Sequence, residues 1–238
     1  MDKKRVLVFG GNGGIGRAVV DMLAKSGYEV FMTYRQESEL NSSKYYTSLG
    51  IKCIHLNLLD YDELMKMELP TVEAIIFAAG SSSKDYMFNV GRSELEDQMN
   101  LQVYHPLYLI QRYLKNDSLE NIIFISSIAW REVNRSGGVY AFSKANVITL
   151  VNALAAELLP RSISVNAIAP GWVDTKMAKS VIEQSESDLE KEKEKKIDNE
   201  FVAPEEVAEW CLTLLKAKRN RVTGQVIEVN SFDKRDRK

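Results

Sequence analysis

The feature that most constrains the fold is an alternation, along the whole 238-residue chain, of short apolar segments with longer segments of helical period. Several short segments are apolar throughout, which is typical of parallel strands covered on both faces. The pattern predicts an α/β fold with a single doubly wound, Rossmann-like parallel sheet of about seven strands and helices on both faces. The strand predictions are residues 6–9, 30–34, 51–56, 74–78, 122–126, 163–168 and 226–229, and the helix predictions are 15–26, 93–115, 140–159 and 204–218.

The length fits one domain over residues 1–238, because a core of this size needs no disulfide or metal. The formal net charge of -2 indicates no nucleic-acid partner. Cys53 and Cys211 are predicted as buried free thiols, and His55 and His105 form no metal-ligand pattern. No apolar segment reaches 18 residues and none of signal type follows the first residues, so we expect no membrane partner and a reducing, cytoplasmic location.

The first predicted strand leads into a loop with five glycines in seven residues, and a helix follows. Glycines here allow backbone N–H groups to approach a pyrophosphate, and the helix N-terminus adds positive potential. A tight structural turn is the alternative, but it does not explain so many glycines. The loop therefore predicts a dinucleotide site, with the spacing Gly-x-x-x-Gly-x-Gly formed by Gly10, Gly14 and Gly16.

The end of the second predicted strand bears on the choice of cofactor. A carboxylate there binds the 2′-hydroxyl of NAD, whereas an arginine accommodates the 2′-phosphate of NADP. The strand ends at Arg35, whose planar guanidinium suits a phosphate. Glu37, two residues further on, is the rival that would favour NAD. We expect NADP, with NAD as the alternative.

Four polar residues form the candidate catalytic set. Tyr140 and Lys144 lie four residues apart at the start of a predicted helix and therefore share one face, and no other tyrosine has a lysine four residues on. Ser127 closes a strand at its carboxyl end, where doubly wound folds bind ligands. Asn100 lies inside the preceding long helix.

Together with the glycine spacing, this set resembles the short-chain dehydrogenase/reductase family. Ser127 stands thirteen residues before Tyr140, the usual separation in the family, and Asn100 falls at its helix asparagine. The other matching motifs are the glycine loop at 9–16, Phe77-Ala78-Ala79-Gly80 for Asn-Asn-Ala-Gly, Pro170-Gly171-Trp172-Val173-Asp174-Thr175 for Pro-Gly-x-Val-x-Thr, and the C-terminal signatures at 204–208 and 223–225.

The resemblance implies hydride transfer between a nicotinamide and a carbonyl or secondary alcohol, with Tyr140 as the proton donor. Lys144 is expected to lower the pKa of the phenol and to hold the nicotinamide ribose, because a free phenol with a pKa of about 10 is a poor acid near neutrality. Ser127 would bind the substrate oxygen and Asn100 a relay water. The implied cofactor contacts are Gly10, Asn12, Gly13, Gly14, Ile15, Gly16, Arg35, Asn57, Leu58, Ala78, Ala79, Gly80, Tyr140, Lys144, Pro170, Gly171, Val173 and Thr175.

Several positions depart from the family pattern without touching the catalytic set. Phe9 replaces the threonine of the glycine motif, so its hydroxyl is absent. Phe77 and Ala78 replace the paired asparagines, so a hydrogen-bonding role there is lost. Asn57 replaces the aspartate near the adenine, and residues 230–232 replace the final Asp-Gly-Gly.

The substrate is the least constrained part of the prediction. Trp130, Trp172 and Met177 are candidate substrate contacts, although the two tryptophans are equally explained as packing residues. Arg131 and Arg135 are candidates for contact with an anionic substrate or carrier, or are ordinary exposed arginines.

The length and the C-terminal segment are most similar to 3-oxoacyl-(acyl-carrier-protein) reductases, which implies a small-molecule or carrier-linked 3-oxoacyl thioester. Another small ketone or a sugar remains an alternative. A non-catalytic nucleotide-sensing protein on the same fold is the alternative from a different class, but it would be expected to have lost part of the catalytic set.

Residues 178–200 form a candidate lid. The part from 185 to 200 is almost entirely charged, which fits either a solvated helix or loop or a mobile cover over the substrate. The resemblance also implies a homo-oligomer, a tetramer or a dimer, formed through the two late helices and the last strand.

Overall fold

Seven parallel strands form one sheet in the order β3-β2-β1-β4-β5-β6-β7. The computed structural model describes residues 3–36, 43–82, 86–133, 136–184, 188–219, 221–230 and 232–233. The strands are β1 (Arg5–Phe9), β2 (Glu29–Tyr34), β3 (Lys52–His55), β4 (Ala74–Phe77), β5 (Asn121–Ile125), β6 (Ser164–Pro170) and β7 (Val226–Val229). The predicted doubly wound parallel sheet is confirmed, and its order reverses between β1 and β4, where such folds bind ligands.

Helices cover both faces of this sheet. The four predicted helices are present, and the predicted 93–115 helix is divided by a π-helical turn, Asn100–Tyr104. Four further helices were not predicted, because each has only six to nine residues. The helices are α1 (Gly14–Lys25), α2 (Ser43–Ser48), α3 (Tyr61–Lys66), α4 (Arg92–Met99), α5 (His105–Tyr113), α6 (Gly138–Leu158), α7 (Lys176–Gln184), α8 (Leu189–Glu194) and α9 (Pro204–Lys216).

The hydrophobic core lies in two layers, one on each face of the sheet. Leu7 and Phe9 of β1 belong to the layer that includes α5 and α6. Val6 and Val8 belong to the layer that includes α1 and α9. All four side chains are fully buried. Because successive strand residues point to opposite faces and both faces are covered, the strand is apolar without alternation.

Helix α6 is the longest element and carries two of the predicted catalytic residues. By length and composition the stretch Gly138–Arg161 would suit a membrane span, but half of that apolar window is buried within the protein. Val147, Val151 and Leu154 of this helix pack into the core on one face of the sheet. Its apolar character is therefore explained by its place as a core helix.

Three phenylalanines on neighbouring strands form a stacked row near the carboxyl end of the sheet. Phe9 pairs in register with Phe77, and Phe77 with Phe124. Their ring centroids are 4.9 and 4.8 Å apart, and all three side chains are buried. Two of these residues are departures from the family motifs, so this chain has apolar stacking where the motif residues would be polar.

Candidate active site

A cavity of about 960 Å³ opens at the carboxyl ends of the central strands, across the point where the strand order reverses. Of the predicted cofactor contacts, those that line it are Gly10, Asn12, Gly13, Gly14, Ile15, Arg35, Asn57, Leu58, Ala78, Ala79, Gly80, Tyr140, Lys144 and Thr175. Four predicted contacts, Gly16, Pro170, Gly171 and Val173, do not line it. Gly16 is buried inside the turn, and Pro170 and Val173 are buried behind the wall.

The glycine turn is shaped to let the chain pass close to β4. Gly10 has φ +78°, and a Cβ there would lie 2.7 Å from the backbone of Ala79. The N–H groups of Gly10 and Gly11 donate to the hydroxyl and the carbonyl of Thr33, both at 3.0 Å. These bonds connect the turn to β2 and direct the chain into α1.

The N-terminus of α1 suits a bound anion. Its N-cap, Gly13, makes no side-chain capping bond, and the first turn of α1 contains no acidic residue. Both Gly14 and Ile15 of that turn line the cavity. Positively polarised N–H groups at a cavity wall are the arrangement that binds pyrophosphate.

Basic side chains lie at the adenosine end of the cavity. Arg35, directly after β2, and Arg17, in the first turns of α1, both line it. The guanidinium of Arg17 also lies over the ring of Tyr45, 5.4 Å from its centroid. Glu37, the rival that would favour NAD, lies outside the described residues. The residues present therefore fit a dinucleotide with an additional phosphate on its adenosine ribose.

Asn57, predicted near the adenine, lies in the turn after β3. Its side-chain oxygen accepts a hydrogen bond from the N–H of Leu59 at 3.1 Å. The neighbouring carbonyl of Leu58 is bound by the buried ring of His105 at 2.5 Å. The first contact closes the turn on itself, and the second fixes it against α5.

Ser127, Tyr140 and Lys144 come together where β5 ends and α6 begins. The hydroxyl of Ser127 accepts a hydrogen bond from the N–H of Ala129 at 3.2 Å and also interacts with the Tyr140 phenol. The Lys144 Nζ lies 5.5 Å from the centroid of the Tyr140 ring. A bond of 3.2 Å from the Ser126 hydroxyl to the Lys144 carbonyl holds α6 against the strand end.

Burial dominates the electrostatics of this group. It lowers the pKa of Lys144 to about 7. It also raises the pKa of Tyr140, while the hydrogen bond with Ser127 acts in the opposite direction. Lys144 is not among the groups that act on the pKa of Tyr140 in this structure, so the lowering expected from Lys144 stays a prediction.

The direct side-chain partner of Lys144 is a residue that the sequence reasoning missed. Lys144 Nζ donates to Oε1 of Gln102 at 2.7 Å and to the carbonyl of Ile125 at 2.9 Å. Asn100, predicted to hold a relay water, starts the π-helical turn and is half-buried. Its carbonyl accepts the N–H of His105. The helix pattern of the sequence gave no signal for Gln102, because a π-helical turn changes which side chains face the site.

The candidate substrate contacts separate into two groups. Met177 lines the cavity, whereas Trp130 and Trp172 do not. Trp130 packs against the core, and Trp172 stacks on Phe201 with ring centroids 6.1 Å apart. Both tryptophans thus pack against neighbouring side chains, and a contact of either with substrate stays a prediction.

Arg131, a candidate for contact with an anion, is neutralised within the protein. It makes a bidentate ion pair with Glu228 at 2.7 and 2.6 Å and a further ion pair with Glu132. Arg135, the second candidate, lies outside the described residues.

The candidate lid contains most of α7 and all of α8. Residues 185–187 lie outside the described part of the chain. Lys176, Met177 and Lys179 of α7 line the cavity. Beyond α8, Lys196 is buried and pairs with Asp233 at 2.9 Å. The charged segment is therefore helical in part, and its far end is attached to the C-terminal region.

The fold and the cavity residues are those of an oxidoreductase that transfers hydride with a nicotinamide cofactor. A family model described as enoyl-(acyl carrier protein) reductase matches residues 10–231, and the chain belongs to this short-chain dehydrogenase/reductase family.

Similar proteins match over nearly their whole length. The chain is 29% identical over 240 residues to the uncharacterized oxidoreductase YmfI of Bacillus subtilis, covering 95% of this chain and 97% of that protein. It is 28% identical to the 3-oxoacyl-[acyl-carrier-protein] reductase FabG of Aquifex aeolicus, covering 94% of each. Among solved structures, a variant of actinorhodin polyketide ketoreductase with NADPH superposes with a TM-score of 0.89 at 23% identity, covering 97% of each chain, which shows the shared fold.

Proposed function

We propose that this protein is an NADPH-dependent reductase of 3-oxoacyl thioesters. The observation that carries the proposal is that Tyr140 and Lys144 line a cavity that Arg35 also lines, with the Ser127 hydroxyl hydrogen-bonded to the Tyr140 phenol. The 3-oxoacyl-[acyl-carrier-protein] reductase activity named for the FabG relative supports the substrate class. NADPH is supported by Arg35 and by the NADPH named for the ketoreductase structure.

The residues of this chain supply the proton and the polar contacts of the reaction. NADPH, when bound, supplies the hydride to the substrate carbonyl carbon. The Ser127 hydroxyl donates a hydrogen bond to the carbonyl oxygen, where negative charge develops. The Tyr140 hydroxyl then transfers its proton to that oxygen, so that the product is a secondary alcohol. Lys144 stabilises the resulting phenolate when it is charged.

The test is a substrate panel followed through the loss of NADPH absorbance. It contains acetoacetyl-CoA as the 3-oxoacyl thioester, a simple β-diketone, cyclic ketones and a keto sugar, each with NADPH and with NADH. We expect the highest kcat/KM with acetoacetyl-CoA and NADPH. Preference for a non-thioester ketone would replace the substrate, and NADPH binding without any turnover would favour the nucleotide-sensing alternative.

We further propose that the whole chain acts as one domain, in the cytoplasm, and as a homo-oligomer. Exposed apolar side chains on the outer side of the long helices support self-association: Leu95, Tyr104, Tyr108 and Phe142 are all more than a third exposed. Light scattering at micromolar concentration should give the mass of a dimer or tetramer. A monomeric mass would refute the oligomer.

A further inference from the structure

The side chain of Gln102 is buried between the loop after β4 and the catalytic lysine. It is 4% exposed. Its Oε1 accepts a hydrogen bond of 2.7 Å from Lys144 Nζ, and its Nε2 donates one of 3.3 Å to the carbonyl of Ala79. Ala79 lines the cavity, so this single amide connects the lysine to the cavity wall.

The geometry leaves Lys144 one donor to use toward the cavity. An ammonium has three N–H donors. Two are taken by Gln102 and by the Ile125 carbonyl. Lys144 itself lines the cavity, and the ring of Tyr140 lies on the same side. Holding two donors on fixed acceptors restricts the ammonium to one place beside the phenol.

We propose that Gln102 is a positioning residue for Lys144, and that its amide oxygen holds the ammonium in place and in its charged form beside Tyr140. The inference deepens the proposed reductase function and rests on it, because the charge matters only where Tyr140 transfers a proton. The sequence motifs do not indicate this direct contact between Gln102 and Lys144.

The electrostatic reason is that Lys144 has little else to keep it charged. Burial alone accounts for the lowering of its pKa to about 7, with no carboxylate acting on it among the described groups. The titratable side chain that faces Lys144 is Tyr140. The distance from Lys144 Nζ to the centroid of the Tyr140 ring is 5.5 Å. A hydrogen bond accepted from the ammonium favours its charged form. Removing the Gln102 oxygen therefore lowers the pKa further, and a carboxylate in its place raises it.

The π-helical turn explains how this side chain reaches the lysine. In the turn Asn100–Tyr104 the N–H of His105 reaches back five residues to the carbonyl of Asn100. The extra residue in the turn alters the directions of the side chains within it, and such turns occur frequently at functional sites. Gln102 lies at its centre and points into the core rather than to solvent.

A neighbouring glutamine provides a matched control. Gln98 lies one turn earlier, is 4% exposed, and binds the same loop through Nε2, which donates to the Ser81 hydroxyl at 2.9 Å. It makes no contact with Lys144 in the described structure. Gln98→Met therefore removes a similar buried amide from the same helix face and leaves the lysine contact in place.

The first test measures the pKa of Lys144 in the cofactor-free protein. Nuclear magnetic resonance of protein labelled at the lysine Cε follows the titration of Lys144, assigned by its loss in Lys144→Arg. We expect Gln102→Met to move the midpoint down by about one pH unit, a tenfold change, and Gln102→Glu to move it up. Gln98→Met should leave it unchanged. Equal midpoints in wild type and both Gln102 variants would overturn the proposal.

The second test measures reduction of acetoacetyl-CoA by NADPH as a function of pH. We expect kcat to fall roughly 10- to 100-fold in Gln102→Met, the range for a hydrogen bond to a charged group. We expect kcat to fall at high pH as Lys144 loses its charge. The pH of this fall should be lower in Gln102→Met and higher in Gln102→Glu. If kcat of Gln102→Met fell by the same factor at every pH, and Gln98→Met behaved in the same way, the role of Gln102 would be merely structural and the proposal would be overturned.

The two tests separate this inference from the reductase proposal. If wild-type protein reduces none of the carbonyl substrates, the proposed function fails, and the lysine titration still decides whether Gln102 holds the ammonium. If wild type is active and the lysine midpoint does not respond to Gln102, the reductase stands and Gln102 has no positioning role.

Discussion

The two walls of the cavity are built in different ways. The inner wall consists of the strand ends of β1, β4 and β5 with the start of α6, and the stacked phenylalanines beneath it are buried. The outer wall is α7, whose Met177 and Lys179 line the cavity, with α8 following it in the chain. Helix α7 buries Ala178 and Ile182, and on its surface Lys179 pairs with Asp174 at 2.7 Å, with both side chains more than 40% exposed. Exposed ion pairs contribute about 0–1 kcal/mol each.

The outer wall has buried anchors at its ends. Trp172 stacks on Phe201, and the backbones of Val173 and Val202 form a parallel bridge. Lys196 pairs with Asp233, and the N–H of Ile197 donates to the carbonyl of Phe232 at 2.9 Å. The residues proposed for proton transfer thus lie on a wall of strand ends and a core helix, whereas the candidate lid is a charged segment with buried contacts at both ends.

The sharpest test of the inner wall is Tyr140→Phe. The phenol hydroxyl is the proposed acid, and the ring alone can still pack, so folding and NADPH binding should remain near wild type. Turnover should fall by about 10²–10⁴-fold, the usual contribution of general acid–base catalysis. Steady-state kinetics measure it, with Tyr108→Phe on the helix surface as control. Retention of more than about a tenth of the activity would exclude Tyr140 as the acid.

Arg35, which follows β2, tests the adenosine end of the cavity. Arg35→Ala should weaken NADPH binding roughly 10- to 100-fold, because a charge-assisted hydrogen bond contributes about 1.5–3 kcal/mol. NADH lacks the 2′-phosphate, so its affinity should change little. Fluorescence titration of both cofactors gives the comparison. If both affinities fell equally, the phosphate assignment would be wrong and Glu37 would become the residue to examine.

The burial of Lys144 in the inner wall predicts that the free energy of unfolding of the protein depends on pH. Burial lowers the pKa of Lys144 to about 7 in the folded protein, from 10.5 for a free lysine side chain. Between these values the unfolded chain binds more protons, so the free energy of unfolding should rise with pH, by up to about 1.4 kcal/mol per pH unit. Below pH 7 both states are protonated and the burial penalty is fully present. Lys144→Met should remove this rise.

Denaturant unfolding at several pH values between 7 and 10 measures that slope. The exposed Lys218→Met provides the control, since other titrating groups are common to both variants and cancel in the comparison. Parallel curves for wild type and Lys144→Met would show that the lysine is not desolvated as the structure indicates.

The smallest expected effect concerns the outer wall. We propose that residues 188–200 exchange amide hydrogens quickly in the free protein and more slowly with NADP⁺ and a substrate analogue, because closing over the ligands excludes water. Hydrogen-exchange mass spectrometry measures this. Protection that is already high and unaffected by ligands would make the segment a static surface element.

Asp233 sharpens this prediction. Asp233→Asn leaves the buried Lys196 without its charged partner, so exchange around α8 should accelerate and stability should fall by about 1–3 kcal/mol, the cost of a buried donor that loses its acceptor. Asp174→Asn removes the exposed pair with Lys179 and should change stability by less than about 0.5 kcal/mol. Equal effects of the two variants would mean that the buried anchor does not hold the segment.

Much of the inner wall could be predicted because its residues are close in sequence. The four-residue spacing of Tyr140 and Lys144 placed them on one helix face, and the glycine loop after β1 indicated the anion site. The boundaries of the seven strands agree with the sequence pattern to within a few residues. Short helices such as α7 and α8 were missed because they span only nine and six residues, too few for a helical period to be recognised.

Apolar period, glycine content and helical spacing are local properties of the chain, so the parallel sheet, the glycine turn and the shared face of Tyr140 and Lys144 could be predicted. The contacts of Gln102 with Lys144, of Phe201 with Trp172 and of Glu228 with Arg131 are visible only in the folded protein. These partners are 42, 29 and 97 residues apart in the chain. Side chains so distant meet only after the sheet is ordered and a π-helical turn has redirected one of them, so no local pattern records their contacts.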